Sequence, residues 1–422
     1  MNYSKFGNRF SAESGIVELM ADLGDALNVN PDIIFMGGGN PAPIPAMQKV
    51  FTDQLQALAN DPQSQHKMLG VYQSPQGDEE FLDALAELLH SQFGWPVTRA
   101  NIALSNGSQS AFFLLFNMLA GESDNNAHKY IQLPLAPEYL GYGDVGLSDN
   151  LFRSAKPTIE YLDNNQFKYH VDFKNLNIDQ DCAALCVSRP TNPTGNVLTD
   201  DEITQLDRLA REHGIPLIID GAYGAPFPNI LFAEARPHWN ENTIVVLSLS
   251  KLGLPGARTG IVVGTEQLIK DFANANTLSC LACGNLGPAI ATPLLRSGEI
   301  LRLSNEVVKP FYQERSQLAL KLLQDGLEGL PCYVHKPEGA IFLWLWCKGL
   351  PISSQELYLR LKQRGVLVVA GHHFFIGLDV PESDSWRHVD ECLRISYCLD
   401  ESKMAEGMTI VADEIRKAYR FI

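Results

Sequence analysis

The chain has 422 residues, 45% of them hydrophobic and 19% charged, which suffices for a large buried core and roughly two or three domains. Its 49 acidic against 33 basic residues give a formal charge of −16, which argues against a nucleic-acid surface built on clustered Lys and Arg. The longest apolar run, Ala340–Trp346, has the length of a strand, so no membrane span is expected.

Met1–Phe10 carries Lys5 and Arg9 with no apolar stretch behind them, and no secretory signal is expected. Ser11–Leu27 predicts a helix with Ile16, Leu19, Met20, Leu23 and Leu27 on one face and Ser11 or Ser14 as its cap. A short strand from Ile33 then runs into Gly37-Gly-Gly39. A plain turn is the simplest reading of those glycines; bare amides facing an anion is the other. Pro41, Pro43 and Pro45 follow, so no dinucleotide-binding helix opens there. The loop Gly70–Gly77 carries one aromatic hydroxyl, Tyr72, ahead of a helix with Phe81, Leu82, Leu85, Leu88 and Leu89 on one stripe.

Short apolar strands and helices then alternate. Strands are predicted at Ile102–Ser105, Tyr130–Leu133, Ala184–Val187, Leu217–Ile219, Ile244–Leu247 and Gly260–Val263, with helices at Gln109–Leu119 and Asp201–His213. This pattern predicts an α/β domain whose mostly parallel sheet is covered by helices and binds ligands beyond its carboxyl ends. Polar residues cluster at those ends: Ser105–Gln109, Pro134–Tyr139, Ser188–Asn192, Asp220–Tyr223 and Ser248–Lys251. Gly287–Leu330 reads as a long helical stretch. A hairpin (Tyr333–Cys347), a helix (Ser354–Arg364), strands at Val366–Val369 and Leu393–Tyr397, and a closing helix (Ser402–Tyr419) follow as a smaller α+β domain. The expected division is 1–45 as a segment joining the small domain, 46–310 as the large domain and 311–422 as the small one.

Eight cysteines are sparse for this length, and Cys186, Cys347 and Cys398 sit in apolar runs, as buried thiols of a reducing, cytoplasmic setting do. Cys280-Leu-Ala-Cys283 has half-zinc-site spacing without a second pair nearby. His372-His373 has no carboxylate at ligand spacing. No metal is expected.

The chemistry concentrates in Thr243–Gly260. The run Ile244–Leu247 gives way to Ser248, Ser250 and Lys251, then to a Gly/Pro loop and Arg258. A lone lysine is usually a solvated cation. Here it follows a buried strand and precedes a loop with little polar bulk, so desolvation lowers its pKa and readies a neutral amine to form a Schiff base. Arg258 and the two serines suit phosphate oxygens, and an aldehyde that carries a phosphate is pyridoxal phosphate. Its ring nitrogen needs a carboxylate, and Asp220 ends the apolar run Ile215–Ile219. Tyr223 and Asn192 are candidates for the phenolic oxygen, although Asn192-Pro-Thr-Gly also reads as a bare turn. Gly107-Ser108-Gln109 opens a helix either as a phosphate cradle or as an ordinary cap. Tyr139 is a candidate to stack on the ring. Arg394, set among apolar neighbours, needs an anion, from a substrate carboxylate or from the protein.

Taken in order, Gly37-Gly-Gly-Asn-Pro, Asn106-Gly-Ser-Gln-Ser-Ala-Phe, Asn192-Pro-Thr-Gly, Asp220-x-x-Tyr223, Ser248-x-Ser-Lys251 with Arg258, and Arg394-Ile-Ser-Tyr resemble the fold-type I pyridoxal-phosphate aminotransferases of class I/II. The resemblance covers nearly the whole chain. It implies that Lys251 is the Schiff-base lysine and proton shuttle, that Asp220 pairs with the ring nitrogen, and that Asn192 and Tyr223 bind the phenolate oxygen. It implies Tyr139 on the ring, and Ser108, Gln109, Ser248 and Arg258 on the phosphate, joined by Tyr72 of the partner subunit in a homodimer. Arg394 and the amide of Gly39 would hold the substrate carboxylate, and Ile16, Tyr72 and Phe375 are candidates to border the substrate side chain. Leu133–Tyr139, Cys186–Val197, Ser248–Gly256 and Lys336–Trp346 are similar to the bacterial members that act on valine. The implied reaction is ping-pong transfer from L-valine to pyruvate, giving 3-methyl-2-oxobutanoate and L-alanine. An aminotransferase for aromatic or 2-aminoadipate substrates, or a C–S lyase, would share nearly every one of these residues.

Overall fold

The β-branched runs assemble at the centre of the computed structural model, which describes residues 1–12, 15–29, 32–124, 127–380 and 386–420. Among these, an eight-stranded sheet has the order Ile102–Ser105, Gly260–Val263, Thr243–Ser248, Leu217–Asp220, Cys182–Ser188, His128–Leu133, Gly121–Glu122. Phe152–Ser154 pairs alongside His128–Leu133. The four strands from Thr243–Ser248 to His128–Leu133 run parallel, while Gly260–Val263 is antiparallel to both neighbours, so the sheet is mixed.

Leu217–Asp220 and Thr243–Ser248 are buried along their whole length because helices cover both faces. On one face Ile131, Cys186, Ile218 and Val246 pack with Phe112, Phe116 and Phe272. On the other, Leu185, Leu217, Val245 and Ile261 join a core that includes Leu85 and Leu206. Helix Asp200–Glu212 starts on a capping box between Thr199 and Glu202. Helix Ser108–Leu119 starts differently: Gly107 is its cap residue, and no side chain caps its first amides.

A six-stranded sheet has the order Val369–Ala370, Cys392–Ser396, Phe342–Cys347, Cys332–His335, Gln166–His170, Thr158–Leu162. Its last two strands form a hairpin turned at Asn164 and Asn165, both in the left-handed region that asparagine tolerates, and the sequence reading had no strands there. The second sheet therefore draws on a segment within 46–310 as well as on the C-terminal strands.

The expected strand Val366–Val369 is two pieces. Val366–Leu367 pairs in parallel with Ile34–Phe35, whereas Val369–Ala370 pairs with Cys392–Ser396, so the chain changes partner at Val368. The long helical stretch is also divided, into Leu286–Arg296, Glu299–Leu303, one π turn and Lys309–Leu327, with Gly298 at φ +73° making the first break. At the N-terminus there are two helices, Lys5–Phe10 capped by Ser4 and Gly15–Val29. Ser11 closes the first of them, and Ser14 lies outside the described residues. No helix among the described residues is long and apolar enough to cross a membrane.

Candidate active site

Beyond the carboxyl ends of the central strands lies a cavity of about 530 Å³. Of the residues anticipated for the site, Ile16, Gly39, Ser108, Gln109, Tyr139, Asn192, Asp220, Tyr223, Ser248, Ser250, Lys251, Arg258 and Arg394 border it. Tyr72 stands apart, 80% exposed on the surface. Phe375 is not part of this wall either; it is buried against Trp344, Trp386 and His388.

Lys251 sits in a tight turn, Ser250–Leu252, directly after strand Thr243–Ser248, and the Ser250 amide donates to Ser248 Oγ at 3.0 Å. Its Nζ lies 5.2 Å from the centre of the Tyr223 ring and donates to the carbonyl of Gly39. Burial, aided by the charges of Arg394 and Arg258, lowers its pKa to about 8. A neutral amine is thus available near neutral pH.

Asp220 is the last residue of its strand. The Tyr142 hydroxyl donates to Oδ2 at 2.7 Å and the Ala222 amide to Oδ1 at 2.9 Å. Burial raises its pKa, while those hydrogen bonds and the charge on Lys251 oppose the rise. Tyr142 was missed in the sequence, although Tyr139-Leu-Gly-Tyr142 offers a second buried ring beside the expected one. A second unforeseen group, Glu138, is buried behind Ser188.

Two arginines mark anion positions. Arg394 NH1 donates to Asn192 Oδ1 at 2.9 Å and NH2 to Gly37 O at 2.7 Å, while its buried Nε has no partner. The guanidinium carbon lies 4.2 Å from the Phe342 ring centre and 5.0 Å from that of Phe374, and burial lowers its pKa to about 10. Since these partners are neutral, its charge is left for a ligand. Arg258 likewise donates to a carbonyl, that of Pro255. It lies against Gly107, where φ is +96° and an added Cβ would stand 2.2 Å from Arg258 NH2. Only glycine allows that approach.

Gln109 donates from Nε2 to Gly141 O at 2.8 Å, and its Oε1 is buried without a partner. Uncapped helix amides, Ser108 and Arg258 can supply phosphate donors, with Ser248 Oγ, which donates to Thr259 O at 3.4 Å, beside them, while Asp220 gives a buried carboxylate and Lys251 an amine. The donor set fits a flat aldehyde bearing a phosphate. Gly37 and Gly39 present carbonyls to Arg394 and Lys251, which ties the glycine loop to both cations.

The Cys280 and Cys283 thiols hydrogen-bond to Asn276 and Leu104 oxygens, and among the described residues no group of His, Cys, Asp and Glu is arranged to hold a metal ion.

The family described as aminotransferase class I and II matches residues 39–411. The valine–pyruvate aminotransferase of Escherichia coli K12 is 50% identical over 419 residues, 99% of each chain. A crystal structure of a putative amino-acid aminotransferase from Psychrobacter arcticum is 45% identical with a TM-score of 0.96, covering 100% of this chain and 99% of that one. A valine–pyruvate aminotransferase from Salmonella typhimurium LT2 is 50% identical with a TM-score of 0.88, covering 96% of this chain and 100% of the other.

Proposed function

As the chain belongs to the class I and II aminotransferases, we propose that it transfers the amino group of L-valine to pyruvate, giving 3-methyl-2-oxobutanoate and L-alanine, with pyridoxal 5′-phosphate as cofactor. What carries this reading is a full-length likeness at 50% identity together with a cavity bordered by one low-pKa lysine, which feels the charges of two arginines bound to neutral partners.

When bound, pyridoxal phosphate supplies an aldehyde carbon that holds the substrate nitrogen and a ring that takes up the electron pair left at Cα. Lys251, as a neutral amine, would take the Cα proton and hand it back one atom beyond the nitrogen, at the cofactor's C4′. Asp220 holds the proton of the ring nitrogen in place. Asn192 and Tyr223 would hydrogen-bond the phenolic oxygen, and Tyr139 would lie against the ring. Ser108, Gln109, Ser248 and Arg258 grip the phosphate, joined by Tyr72 of the partner subunit. Arg394 and the Gly39 amide clamp the substrate α-carboxylate, and Ile16 borders its side chain. The cycle is ping-pong: the first 2-oxo acid leaves before pyruvate enters.

The working form is a homodimer in this reading. Tyr72 is exposed with Leu69 and Val71, and Leu278, 91% exposed, and Leu281 belong to a second segment. Asn285 Nδ2 donates to Lys67 O and ties the two segments together. Residues 46–310 serve as the cofactor platform, and 1–45 join 311–422 in the smaller unit. The pairing of Ile34–Phe35 with Val366–Leu367 supports that join. The free cysteines accord with a cytoplasmic setting.

The test is product analysis of the purified protein with pyridoxal phosphate, L-valine and pyruvate. Alanine and 3-methyl-2-oxobutanoate should form in equal amounts. Release of ammonia from an amino acid with no 2-oxo acceptor present would favour a lyase and overturn the reading.

A further inference from the structure

Glu138 is 1% exposed and immediately precedes Tyr139. Its Oε1 accepts the Ser188 amide at 2.9 Å, its Oε2 lies 2.5 Å from Ser188 Oγ, and Oε2 also accepts the Tyr139 amide at 3.2 Å. Ser188 and Asp220 are register partners on adjacent parallel strands, and Ser188, Asp220 and Tyr139 all border the cavity. The titratable groups facing Glu138 are Asp220 on the neighbouring strand, Cys186 two residues before Ser188, and Tyr142. None of these is a cation.

We infer that Glu138 is a positioning residue for this site: a neutral carboxylic acid, locked onto Ser188 and the Tyr139 backbone, that aims the Ser188 hydroxyl into the cavity and leaves Asp220 as the one negative charge there. The inference rests on the cofactor reading given above. Two carboxylates buried together without a cation between them do not both ionise at neutral pH except at heavy cost. The charge stays on Asp220, which the Tyr142 hydroxyl, the Ala222 amide and Lys251 all favour. Glu138 keeps the proton, because burial, reinforced by the charge of Asp220, raises its pKa to about 8. Its O–H then donates to Ser188 Oγ, and the hydrogen of Ser188 is free to point at a ligand. An ionised Glu138 would draw that hydrogen back and set a second negative charge beside the one the ring nitrogen requires.

Thermal melts of the full-length, cofactor-free chain test the protonation state. The folded acid keeps its proton to about pH 8, whereas an unfolded glutamate releases it near 4.5. The folded state therefore binds the extra proton across that window, and the parent loses stability as pH rises through it. Glu138→Gln has no such proton. Its Tm relative to the parent should climb by about 3 °C or more across the window and level off above it. A difference that stays flat, or falls, overturns the inference.

Affinity for pyridoxal phosphate, read by absorbance titration, tests the positioning. Glu138→Leu should weaken it about tenfold or more, and Glu138→Gln, whose amide still donates to Ser188 Oγ but no longer accepts the Tyr139 amide, should recover part of that loss. Should the leucine variant fail to fold, Ser188→Ala is expected to show the same weakening. A glutamine variant no better than leucine, or an alanine variant that binds like the parent, contradicts the inference. A parent chain that binds no pyridoxal phosphate would sink the cofactor reading instead, while the melts still decide the state of Glu138.

Discussion

Asn192 Oδ1 accepts a 2.9 Å hydrogen bond from Arg394 NH1 across 202 residues of sequence. The residue proposed to hold the cofactor's phenolic oxygen thus also aims the guanidinium proposed to hold the substrate carboxylate. One rigid fork serves both the carboxylate and Asn192, and a lysine cannot replace it.

Arg394→Lys should therefore raise KM for valine and for pyruvate by roughly 30- to 150-fold, the loss of about 2–3 kcal/mol from a charged hydrogen-bonded pair. Affinity for pyridoxal phosphate should change far less. Steady-state kinetics beside a cofactor titration separate the two, and equal losses in both would refute this placing of the carboxylate.

In the proposed site Tyr142 would act on the cofactor only through Asp220, to which its hydroxyl donates at 2.7 Å. Tyr142→Phe keeps the ring packed between Phe112 and Phe116 and removes only that donor. The expected result is a fall of about tenfold or more in kcat/KM for valine, from a hydrogen bond to a charged group worth roughly 1.5–3 kcal/mol. Activity within about twofold of the parent would mean that Asp220 does not depend on this contact.

What was legible in the sequence, and what was not, follows from how far each signal reaches. Strands buried on both faces, such as Thr243–Ser248, announce themselves as unbroken apolar runs, and Asp220 and Lys251 stand out as polar residues at or just beyond the ends of such runs. The hairpin Thr158–His170 did not, because no residue of Thr158–Leu162 is buried and the strand reads as surface. Val366–Ala370 looked like one strand because a change of partner leaves no mark on composition. Tyr142 and Glu138 owe their roles to neighbours 78 and 50 residues away, a distance no local pattern spans. Phe375 was anticipated as an apolar residue of the pocket, yet Trp344 and Trp386 bury it elsewhere.

Gly107 carries a second kind of constraint. With φ at +96° and Arg258 NH2 2.2 Å from where a Cβ would sit, Gly107→Ala has to displace the arginine and strain the turn. Affinity for pyridoxal phosphate should drop about tenfold or more, and affinity for pyridoxal lacking the phosphate should drop much less. Equal losses for the two ligands would place the phosphate elsewhere.

Substrate choice is proposed to rest on helix Gly15–Val29, whose Ile16, Met20 and Gly24 face the cavity at four-residue spacing. A Cβ added at Gly24 meets nothing within 4 Å, so the helix there takes a side chain, and Gly24→Phe sets a ring at the cavity wall and gains helix propensity. The Tm should hold or rise, while KM for valine rises about tenfold. An unchanged KM would contradict seating the valine side chain against this helix.

Trapping the amine at position 251 tests the central claim most directly. When the protein is loaded with pyridoxal phosphate, reduced with borohydride and mapped by mass spectrometry, the phosphopyridoxyl group should lie on Lys251. Loading should quicken as pH rises through about 8, where the amine becomes neutral. Lys251→Ala should be unlabelled at that position and retain no more than about a thousandth of the parent's turnover. A label on another lysine, or an alanine variant that turns over valine as fast as the parent, would contradict the account.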